Sequence, residues 1–511
     1  MNGSRNSGAS RHFELLAAAL LLAAAGAGAL TWCLREQYLL YYGDAVAHLN
    51  IARRIVDSRT PGYAQIGTVW LPLPHLLMLP LVSEDGLWRS GLAGAVPAAA
   101  FYLLGGVFFF AGLRRVFGSV GAAAGTAAFA LNPNLLYLQA VPMTEAIFAG
   151  CLGALFYFTV RFGRQPSLKT AAATGVAALA GTLTRYEGWF VIPFVAVYLL
   201  LAGKSRRWGA ALLFGAIASA GPLYWLAHNF WFYGDPLEFY RGPWSAKAIY
   251  QRALDSGMAP YPGDGDWRTA AHYYLAAARL CAGWPLAVLG AAGAFAALWR
   301  RKWWPVALLA LPPSFYIWSL HSGGTPIFVP HLWPHSWYNT RYGLAALPLL
   351  ALGVAALAAV IPRRFRAAGA AGLLGVVLLP WVFRPAPEAW ICWKESQVNS
   401  EQRRAWTKEA AEYLKRRYRG GGVIHGFGDL TGIFLEAGIP LRETLHEGNT
   451  LEFYAAIRRP DLFLDEEWAV AISGDPVATA ILRSQRSGPE YECVKMIALK
   501  DAPVIEIYRR K

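Results

Sequence analysis

The sequence predicts an α-helical, polytopic membrane protein that ends in a small α/β domain. Of the 511 residues, 56% are hydrophobic and only 15% are charged, whereas soluble domains contain about 25% charged residues. Apolar runs also recur along the chain as far as residue 383, and runs of about 18 or more apolar residues are typical of membrane-spanning helices. The mean hydropathy of +0.31 agrees with both observations.

Basic residues lie in small clusters between the apolar runs, and these clusters predict the topology. They are Arg114 and Arg115; Arg161, Arg164 and Lys169; Lys204, Arg206 and Arg207; Arg300, Arg301 and Lys302; and Arg363, Arg364 and Arg366. Short loops rich in Lys and Arg remain in the cytoplasm. This rule predicts about eleven spans, centred near residues 23, 102, 127, 152, 177, 195, 218, 289, 312, 352 and 375, and a cytoplasmic N-terminus. The net charge of +15 therefore reflects topology and not a nucleic-acid partner.

An odd number of spans places the end of the chain outside the cytoplasm. We expect a transmembrane domain over residues 1–383 and an extracytoplasmic α/β domain over residues 384–511, because charged residues become frequent after Pro385. In the second domain the pattern predicts a charged helix from Ser400 to Tyr418. It also predicts strands at Val423 to Phe427, Ala469 to Ser473 and Val504 to Tyr508.

Two cysteines fall in the predicted extracytoplasmic domain, Cys392 and Cys493. Disulfides form in oxidising compartments outside the cytoplasm. We therefore expect these two residues to form a bridge.

The first outer connection is more than a plain loop. From Gly43 to Ser58 apolar residues recur at helical spacing opposite polar ones, which predicts an amphipathic helix suited to the membrane interface. The apolar stretch from Val69 to Val82 contains Pro72, Pro74 and Pro80, and this predicts a broken helix in place of a full span.

Polar residues that suit chemistry gather near the predicted outer ends of the spans. They are Asp44, His48, His75, Glu145, Arg185, Glu187, Asp235 and Arg341. No Asp, Glu, Lys or Arg falls near the middle of a predicted span, although ion-coupled transporters need such groups at depth. This placement favours a reaction on a lipid head group over transport.

Each of these candidates also has a structural interpretation. Asp is among the best helix N-cap residues, so the structural interpretation of Asp44 is that it caps a helix and has no catalytic role. Glu145 opens a predicted span, where a carboxylate complements the helix dipole. Arg185 and Arg341 begin runs into the membrane, where arginine side chains commonly extend to the interface without another role.

The order of several short motifs resembles a known family. The motifs are Gly43-Asp44, Trp70-Leu71-Pro72-Leu73-Pro74-His75, Pro142-Met143-Thr144-Glu145, Leu183-Thr184-Arg185-Tyr186-Glu187-Gly188, Gly234-Asp235-Pro236-Leu237 and Arg341-Tyr342. Together they resemble the GT-C superfamily of polyprenyl-phosphate-sugar glycosyltransferases, which includes the protein O-mannosyltransferases and the lipid A aminoarabinose transferase. The resemblance implies that Asp44 is the catalytic base and that Glu145 is a second acid. One variant of the family has two adjacent acids in the first loop, whereas this chain has one. The resemblance therefore leaves open whether the protein uses a divalent metal.

The resemblance implies a membrane enzyme that transfers a sugar from a polyprenyl-phosphate carrier to a glycan, lipid or protein acceptor outside the bacterial inner membrane. A carboxylate can accept the proton of the attacking hydroxyl, and arginine suits the departing phosphate. We expect Arg185 or Arg341 in that role, Asp44 and Glu145 in one cavity, and inversion at the sugar carbon. The alternatives are a transporter or flippase of lipid-linked sugars and a scaffold whose outer domain binds a partner.

Two further patterns have ordinary explanations. Gly426-Phe427-Gly428 is similar to part of a dinucleotide-binding fingerprint, but Gly432 lies one residue too late for the third glycine, which favours a tight turn. His321, His331 and His335 are candidate metal ligands, but Pro334 interrupts regular spacing and packing is the favoured interpretation.

Overall fold

The computed structural model describes residues 2–511, and side chains from residue 12 onwards. Its helices are α1 (Asn2–Arg35), α2 (Gly43–Val56), α3 (Leu73–Val82), α4 (Asp85–Ser90), α5 (Leu92–Ala130), α6 (Pro133–Leu138), α7 (Glu145–Arg164), α8 (Leu168–Thr182), α9 (Glu187–Ala202), α10 (Arg207–Tyr233), α11 (Glu238–Arg241), α12 (Ala246–Asp255), α13 (Trp267–Ala282), α14 (Trp284–Trp299), α15 (Trp303–His321), α16 (Leu347–Val360), α17 (Arg366–Phe383), α18 (Ile391–Val398), α19 (Glu401–Arg417), α20 (Thr431–Ala437), α21 (Thr450–Arg458), α22 (Pro460–Phe463) and α23 (Pro476–Ser484). The strands are β1 (Val423–His425), β2 (Thr444–Leu445), β3 (Trp468–Ile472), β4 (Tyr491–Ile497) and β5 (Ile505–Arg510).

Within the described chain, six helical segments are long and apolar enough to cross a membrane. They are His12–Arg35, Leu92–Ala130, Glu145–Arg164, Lys204–Tyr233, Thr340–Val360 and Arg363–Phe383. The count becomes seven if α13 and α14, which meet at 111°, form one broken span. The predicted polytopic helical class is confirmed, but the count of eleven is not. The spans predicted near residues 102 and 127 both lie in α5, which is broken at Gly118.

The chain divides into two compact units that do not follow sequence order. Unit 1 comprises residues 1–36, 68–73 and 96–395, and unit 2 comprises residues 37–67, 74–95 and 396–511. Residues 37–67 and 74–95, which make up most of the first outer connection, thus fold with the C-terminal part of the chain. The sequence-based division falls once, between residues 383 and 384, because a composition change cannot reveal that an early segment joins a late one.

Unit 2 contains a five-stranded sheet in the order β2-β1-β3-β5-β4. The first three strands in this order are parallel, and β5 and β4 are antiparallel to their neighbours. The predicted strands correspond to β1, β3 and β5, whereas β2 and β4 were not predicted. The predicted charged helix is α19.

Helix α2 packs into the core of unit 2. Its residues Leu49 and Ala52 are buried in one apolar cluster with Trp406 and Phe434. Polar residues of α2 are buried as well: Arg53 binds Asp57 at 2.8 Å and the carbonyl of Val82, and Arg54 donates to the carbonyl of Gln65. The predicted helix is confirmed, but it does not lie with a free polar face at a membrane interface, because both of its faces have protein partners.

The predicted disulfide is wrong. Cys392 and Cys493 are both reduced; the first is buried in unit 1 and the second is exposed in unit 2. The Sγ atom of Cys392 lies 4.0 Å from that of Cys281 in unit 1. The composition change after Pro385 suggested one domain for both cysteines, but the segment as far as Glu395 belongs to unit 1.

Candidate active site

Four of the candidate residues meet in unit 1, at the starts of three helical segments. Glu145 is the first residue of α7, and Glu187 is the first residue of α9 with Arg185 just before it. Arg341 is the second residue of the 3₁₀ helix Thr340–Ala346. Each of these residues thus lies in or next to the first turn of a helical segment, so the backbone of that segment fixes the position of its side chain.

Arg185 joins two of these segments through four hydrogen bonds. Its Nε donates to Glu187 Oε1 at 2.7 Å, and its Nη1 donates to Thr144 Oγ1 at 2.6 Å and to Glu145 Oε1 at 3.1 Å. Its Nη2 donates to the hydroxyl of Tyr316 at 2.6 Å. Most of the hydrogen-bonding capacity of this guanidinium group is therefore used within the protein.

Arg341 makes a second bridge, to a carboxylate that the sequence did not single out. Its Nε donates to Glu145 Oε1 at 3.2 Å and its Nη1 donates to Glu395 Oε1 at 2.6 Å. The other oxygen of Glu395 accepts from the backbone N–H of Thr340 at 2.6 Å and from its hydroxyl. Glu395 is 1% exposed, so it fixes Arg341 from inside the protein.

We call Glu145, Arg185, Glu187, Arg341 and Glu395 the charge cluster. Three carboxylates face two guanidinium groups, which leaves one negative charge in excess. Glu145 Oε2 is buried and has no hydrogen-bond partner among the described residues. Because a buried carboxylate oxygen without a partner is costly, this atom is a point at which a ligand hydroxyl can bind.

Tyrosines cover one side of the charge cluster. The guanidinium groups of Arg185 and Arg341 each lie 5.2 Å from the ring centre of Tyr342. Tyr316 stacks on Tyr342 at 4.8 Å and donates its hydroxyl to Glu187. Burial and these contacts exclude the interpretation that the two arginines only extend towards the membrane interface.

Asp235 lies outside the charge cluster. It accepts a hydrogen bond from the backbone N–H of Leu237 at 2.8 Å, and it lies 3.8 Å from the exposed Arg241. This is the arrangement of an Asx turn. The structure therefore gives Asp235 a part in the loop between α10 and α11.

Asp44, His48 and His75 lie in unit 2. Asp44 is the second residue of α2, whose N-cap is Tyr42, so the interpretation of Asp44 as the N-cap is wrong. A guanidinium group of unit 2 lies at this helix start: Arg403 Nη2 donates to the carbonyl of Tyr41 at 2.5 Å. Burial lowers the pKa of Arg403, while the negative charges of Asp429 and Asp44 act in the opposite direction.

One turn after Asp44, His48 forms a buried pair with His75. The Nδ1 atom of His48 lies 2.9 Å from the Nε2 atom of His75, and the side chains are 3% and 0% exposed. Residues four apart lie on the same side of a helix, so Asp44 and His48 share one side of α2. The sequence named both histidines, but not their hydrogen bond.

The sequence missed Glu395 and Tyr316. Glu395 ends the segment Trp390-Ile391-Cys392-Trp393-Lys394-Glu395, whose aromatic and apolar residues sit unusually among the charged residues after Pro385. Cys392 N donates to Asn134 Oδ1 at 2.9 Å, which holds this segment inside unit 1. That composition was the one sequence feature that could have drawn attention to Glu395. A tyrosine within an apolar helix, such as Tyr316, has no comparable feature.

The histidines proposed as metal ligands have separate partners. His321 stacks on Trp267 at 4.0 Å, His331 contacts Arg279 at 3.2 Å, and His335 contacts the carbonyl of Pro330. In the part of the chain that the structure describes, no group of three or more His, Cys, Asp or Glu side chains has the geometry of a metal site.

The glycine pair in unit 2 forms a tight turn, as predicted. Gly428 has φ of 118°, and its N–H donates to Thr431 Oγ1 at 2.9 Å. The N–H of Phe427 donates to a carboxylate oxygen of Glu447 at 2.5 Å. Burial raises the pKa of Glu447. A carboxylate occupies the N–H group that a dinucleotide phosphate would need, so this turn is not a phosphate-binding loop.

Comparisons with known proteins agree with this architecture. A family model described as dolichyl-phosphate-mannose-protein mannosyltransferase matches residues 88–225. Crystal structures of ArnT from Cupriavidus metallidurans also match: the complex with undecaprenyl phosphate at a TM-score of 0.55 and 15% identity, and the apo state at 0.53 and 14%. Each match covers 94% of this chain and 97% of the other. No curated protein matches the sequence. The protein therefore has an ArnT-like fold, which confirms the predicted class of a helical membrane protein with a small C-terminal sheet region.

Proposed function

We propose that this protein is a membrane glycosyltransferase that transfers a sugar from a polyprenyl-phosphate carrier to an acceptor, with inversion at the sugar carbon. The observation that carries the proposal is the fold, which matches over 94% of the chain a protein whose crystal structure contains undecaprenyl phosphate. The family match over residues 88–225 supports the same class of donor. The donor sugar belongs to the hexoses or pentoses, and the acceptor is a glycan, a lipid or a protein.

Asp44 is the proposed catalytic base. The reaction requires a carboxylate that removes the proton of the acceptor hydroxyl as this hydroxyl attacks the sugar. Asp44 is not the N-cap of α2, because Tyr42 occupies that position. Its place on α2 is rigid, since the apolar residues of the helix are buried in the core of unit 2. A rigid element holds a reactive group more precisely than a flexible loop.

The residues of the charge cluster receive different proposed roles. Arg185 has four hydrogen bonds within the protein, so we assign to it the orientation of Glu145. Arg341 is the proposed ligand of the donor phosphate, because guanidinium binds phosphate with two parallel hydrogen bonds. Glu145 is the proposed second acid: its Oε2 atom has no partner and can accept a hydrogen bond from a sugar hydroxyl. Glu187 supports Arg185 through their hydrogen bond, and the pair of His48 and His75 lies one turn from Asp44 in unit 2.

The proposed topology follows from the basic clusters. The protein lies in a bacterial inner membrane with its N-terminus on the cytoplasmic side. The segment from residue 384 onwards lies on the opposite, extracytoplasmic side. Sugar transfer would then take place on the outer face.

The test uses the purified full-length protein in liposomes. Polyprenyl-phosphate donors that carry radiolabelled mannose or aminoarabinose are supplied together with an extract of cell-envelope acceptors. We expect labelled product and released polyprenyl phosphate in equal amounts with at least one donor. The matched control is Asp44→Asn in the same liposomes.

Two outcomes would contradict the proposal. In the first, the folded wild-type protein releases no polyprenyl phosphate from any donor. In the second, it moves intact lipid-linked sugar between the leaflets without cleaving it, which is the result expected of a flippase. Equal product formation by wild type and Asp44→Asn would leave transfer intact but remove Asp44 from the mechanism.

A further inference from the structure

An exposed face of α13 carries an unusual set of side chains. His272, Leu275 and Arg279 are spaced by three and four residues, so they lie on one side of the helix, and all three are exposed. Leu275 is 60% exposed. A basic and apolar face of this kind suits the boundary between lipid acyl chains and lipid head groups.

A loop adds a third basic group to this face. His331 Nε2 lies 3.2 Å from Arg279 Nη2. The loop is held on α13 by the hydroxyl of Tyr273, which donates to the carbonyl of Trp333 at 2.6 Å. The contact between arginine and histidine therefore rests on an anchored loop and not on two mobile side chains.

No acid balances these groups. Arg279 forms no salt bridge with any carboxylate in the described chain; it contacts His331, and its guanidinium carbon lies 5.5 Å from the ring centre of Trp284. Burial, and after it the positive charges of Arg279 and His272, lowers the pKa of His331. The positive charge of Arg279 is thus not neutralised by an acid, and an anion stabilises such an arrangement.

The position of the face indicates which anion. Tyr274, on the opposite side of α13, is buried and stacks on Tyr316, the tyrosine bonded to Arg185 and Glu187. The basic face therefore points away from the charge cluster. Next to it, α13 and the apolar helix α14 meet at 111°, and Trp284 at the bend is 63% exposed. Exposed tryptophans mark the membrane interface.

We propose that Arg279, His331 and His272 bind the phosphate group of a membrane phospholipid. The guanidinium group donates to the phosphate oxygens, His331 adds a second donor, and Leu275 and Trp284 contact the upper part of the acyl chains. The same chemistry would suit the phosphate of a polyprenyl carrier. A bulk phospholipid is favoured because the face looks away from the charge cluster.

The experiment measures lipid retention by the delipidated full-length protein in native mass spectrometry. The probes are phosphatidylglycerol and diacylglycerol with identical chains, because they differ only in the phosphate head group. Loss of a charge-assisted contact in Arg279→Gln should lower phosphatidylglycerol occupancy by about tenfold or more. His331→Asn should lower it in the same direction. The matched control is Arg268→Gln, an exposed arginine on the same helix that has Asp266 beside it.

The proposal holds if phosphatidylglycerol binds more tightly than diacylglycerol and if only the variants of Arg279 and His331 lose this preference. It is overturned if Arg279→Gln and Arg268→Gln bind equally, or if wild type does not distinguish the two lipids. A competition arm adds undecaprenyl phosphate. If that lipid displaces phosphatidylglycerol from the wild type at equimolar concentration, the site belongs to the carrier and the assignment to bulk phospholipid is wrong. If Arg279→Gln does not fold, His331→Asn decides the matter.

Discussion

Two helix starts carry the candidate acids, and they differ in what surrounds them. Glu145 at the start of α7 is bound by two arginines, and these in turn bind Glu187 and Glu395. Asp44 at the start of α2 lies one turn from a pair of buried histidines. A carboxylate bonded to two guanidinium groups is a weak proton acceptor, whereas a carboxylate near imidazoles has proton-transfer partners. The comparison favours Glu145 as the group that orients the sugar through a hydrogen bond, and Asp44 as the group that removes the proton of the acceptor.

The largest expected effect concerns Asp44. Asp44→Asn keeps the size and shape of the side chain but cannot act as a base near neutral pH. We expect the variant to insert and fold normally and to lose about 10²–10⁴-fold in transfer rate, the usual contribution of a general base. The measurement is the initial rate of release of polyprenyl phosphate.

The matched control for this prediction is Asp235→Asn, which changes an acid of the loop between α10 and α11 and should transfer at nearly the normal rate. If Asp44→Asn retains normal transfer, the comparison reverses, and Glu145 becomes the candidate base.

A second prediction concerns the charge cluster. Arg185→Met removes one guanidinium group and leaves Glu145 and Glu187 buried without that cation. Breaking a buried ion pair from one side costs about 3–5 kcal/mol of unfolding free energy. The expected result is a clearly lower thermal denaturation midpoint in detergent.

Arg241→Met serves as the control, because Arg241 and its partner Asp235 are far more exposed and such pairs contribute about 0–1 kcal/mol. Similar midpoints for the two variants would show that the charge cluster does not stabilise unit 1, and its ion pairs would then serve binding alone.

A third prediction uses the buried histidines of the sheet in unit 2. Burial lowers the pKa of His425 to about 4, and burial followed by the charges of His425, Arg54 and Arg59 lowers that of His446. The unfolded chain, in which histidine titrates near about 6.5, therefore binds more protons below that pH. Stability should therefore fall as the pH drops below about 6.5, by up to about 1.4 kcal/mol per pH unit for each histidine. The contribution of His425 levels off near its folded pKa of about 4.

Thermal denaturation at pH 7.5 and pH 5.5 measures this loss. His425→Gln should reduce the difference between the two midpoints, and the exposed His12→Gln should not. An unchanged difference in His425→Gln would mean that other groups cause the acid sensitivity of unit 2.

The smallest effect is chemical. In native protein under non-reducing conditions, maleimide should modify the exposed Cys493 and spare the buried Cys392. Burial protects a thiol and disfavours its reactive thiolate. Mass spectrometry of the labelled peptides gives the answer, and full labelling after denaturation without reductant is the control. A Cys493 that resists labelling until reductant is added would restore the bridge that the structure lacks.

Local patterns were sufficient for much of the fold. The apolar runs, the helix that begins at Gly43 and the strands β1, β3 and β5 follow from the periodicity of neighbouring residues, which a sequence displays directly. The number of spans is not confirmed: the two spans predicted near residues 102 and 127 form one long helical segment broken at Gly118, and α13 and α14 meet at a sharp bend. Composition alone does not tell a broken helix from two separate ones.

The candidate site divides in the same way. The sequence by itself determined which polar residues stand at helix starts, because Asp44, Glu145, Arg185, Glu187 and Arg341 each flank an apolar run. Only the tertiary structure decided their partners: Arg341 is 196 residues from Glu145 and 54 from Glu395. Contacts over such distances depend on how helices pack and not on any local pattern. The same packing buried the polar side of α2, and no property of that segment alone could have predicted it.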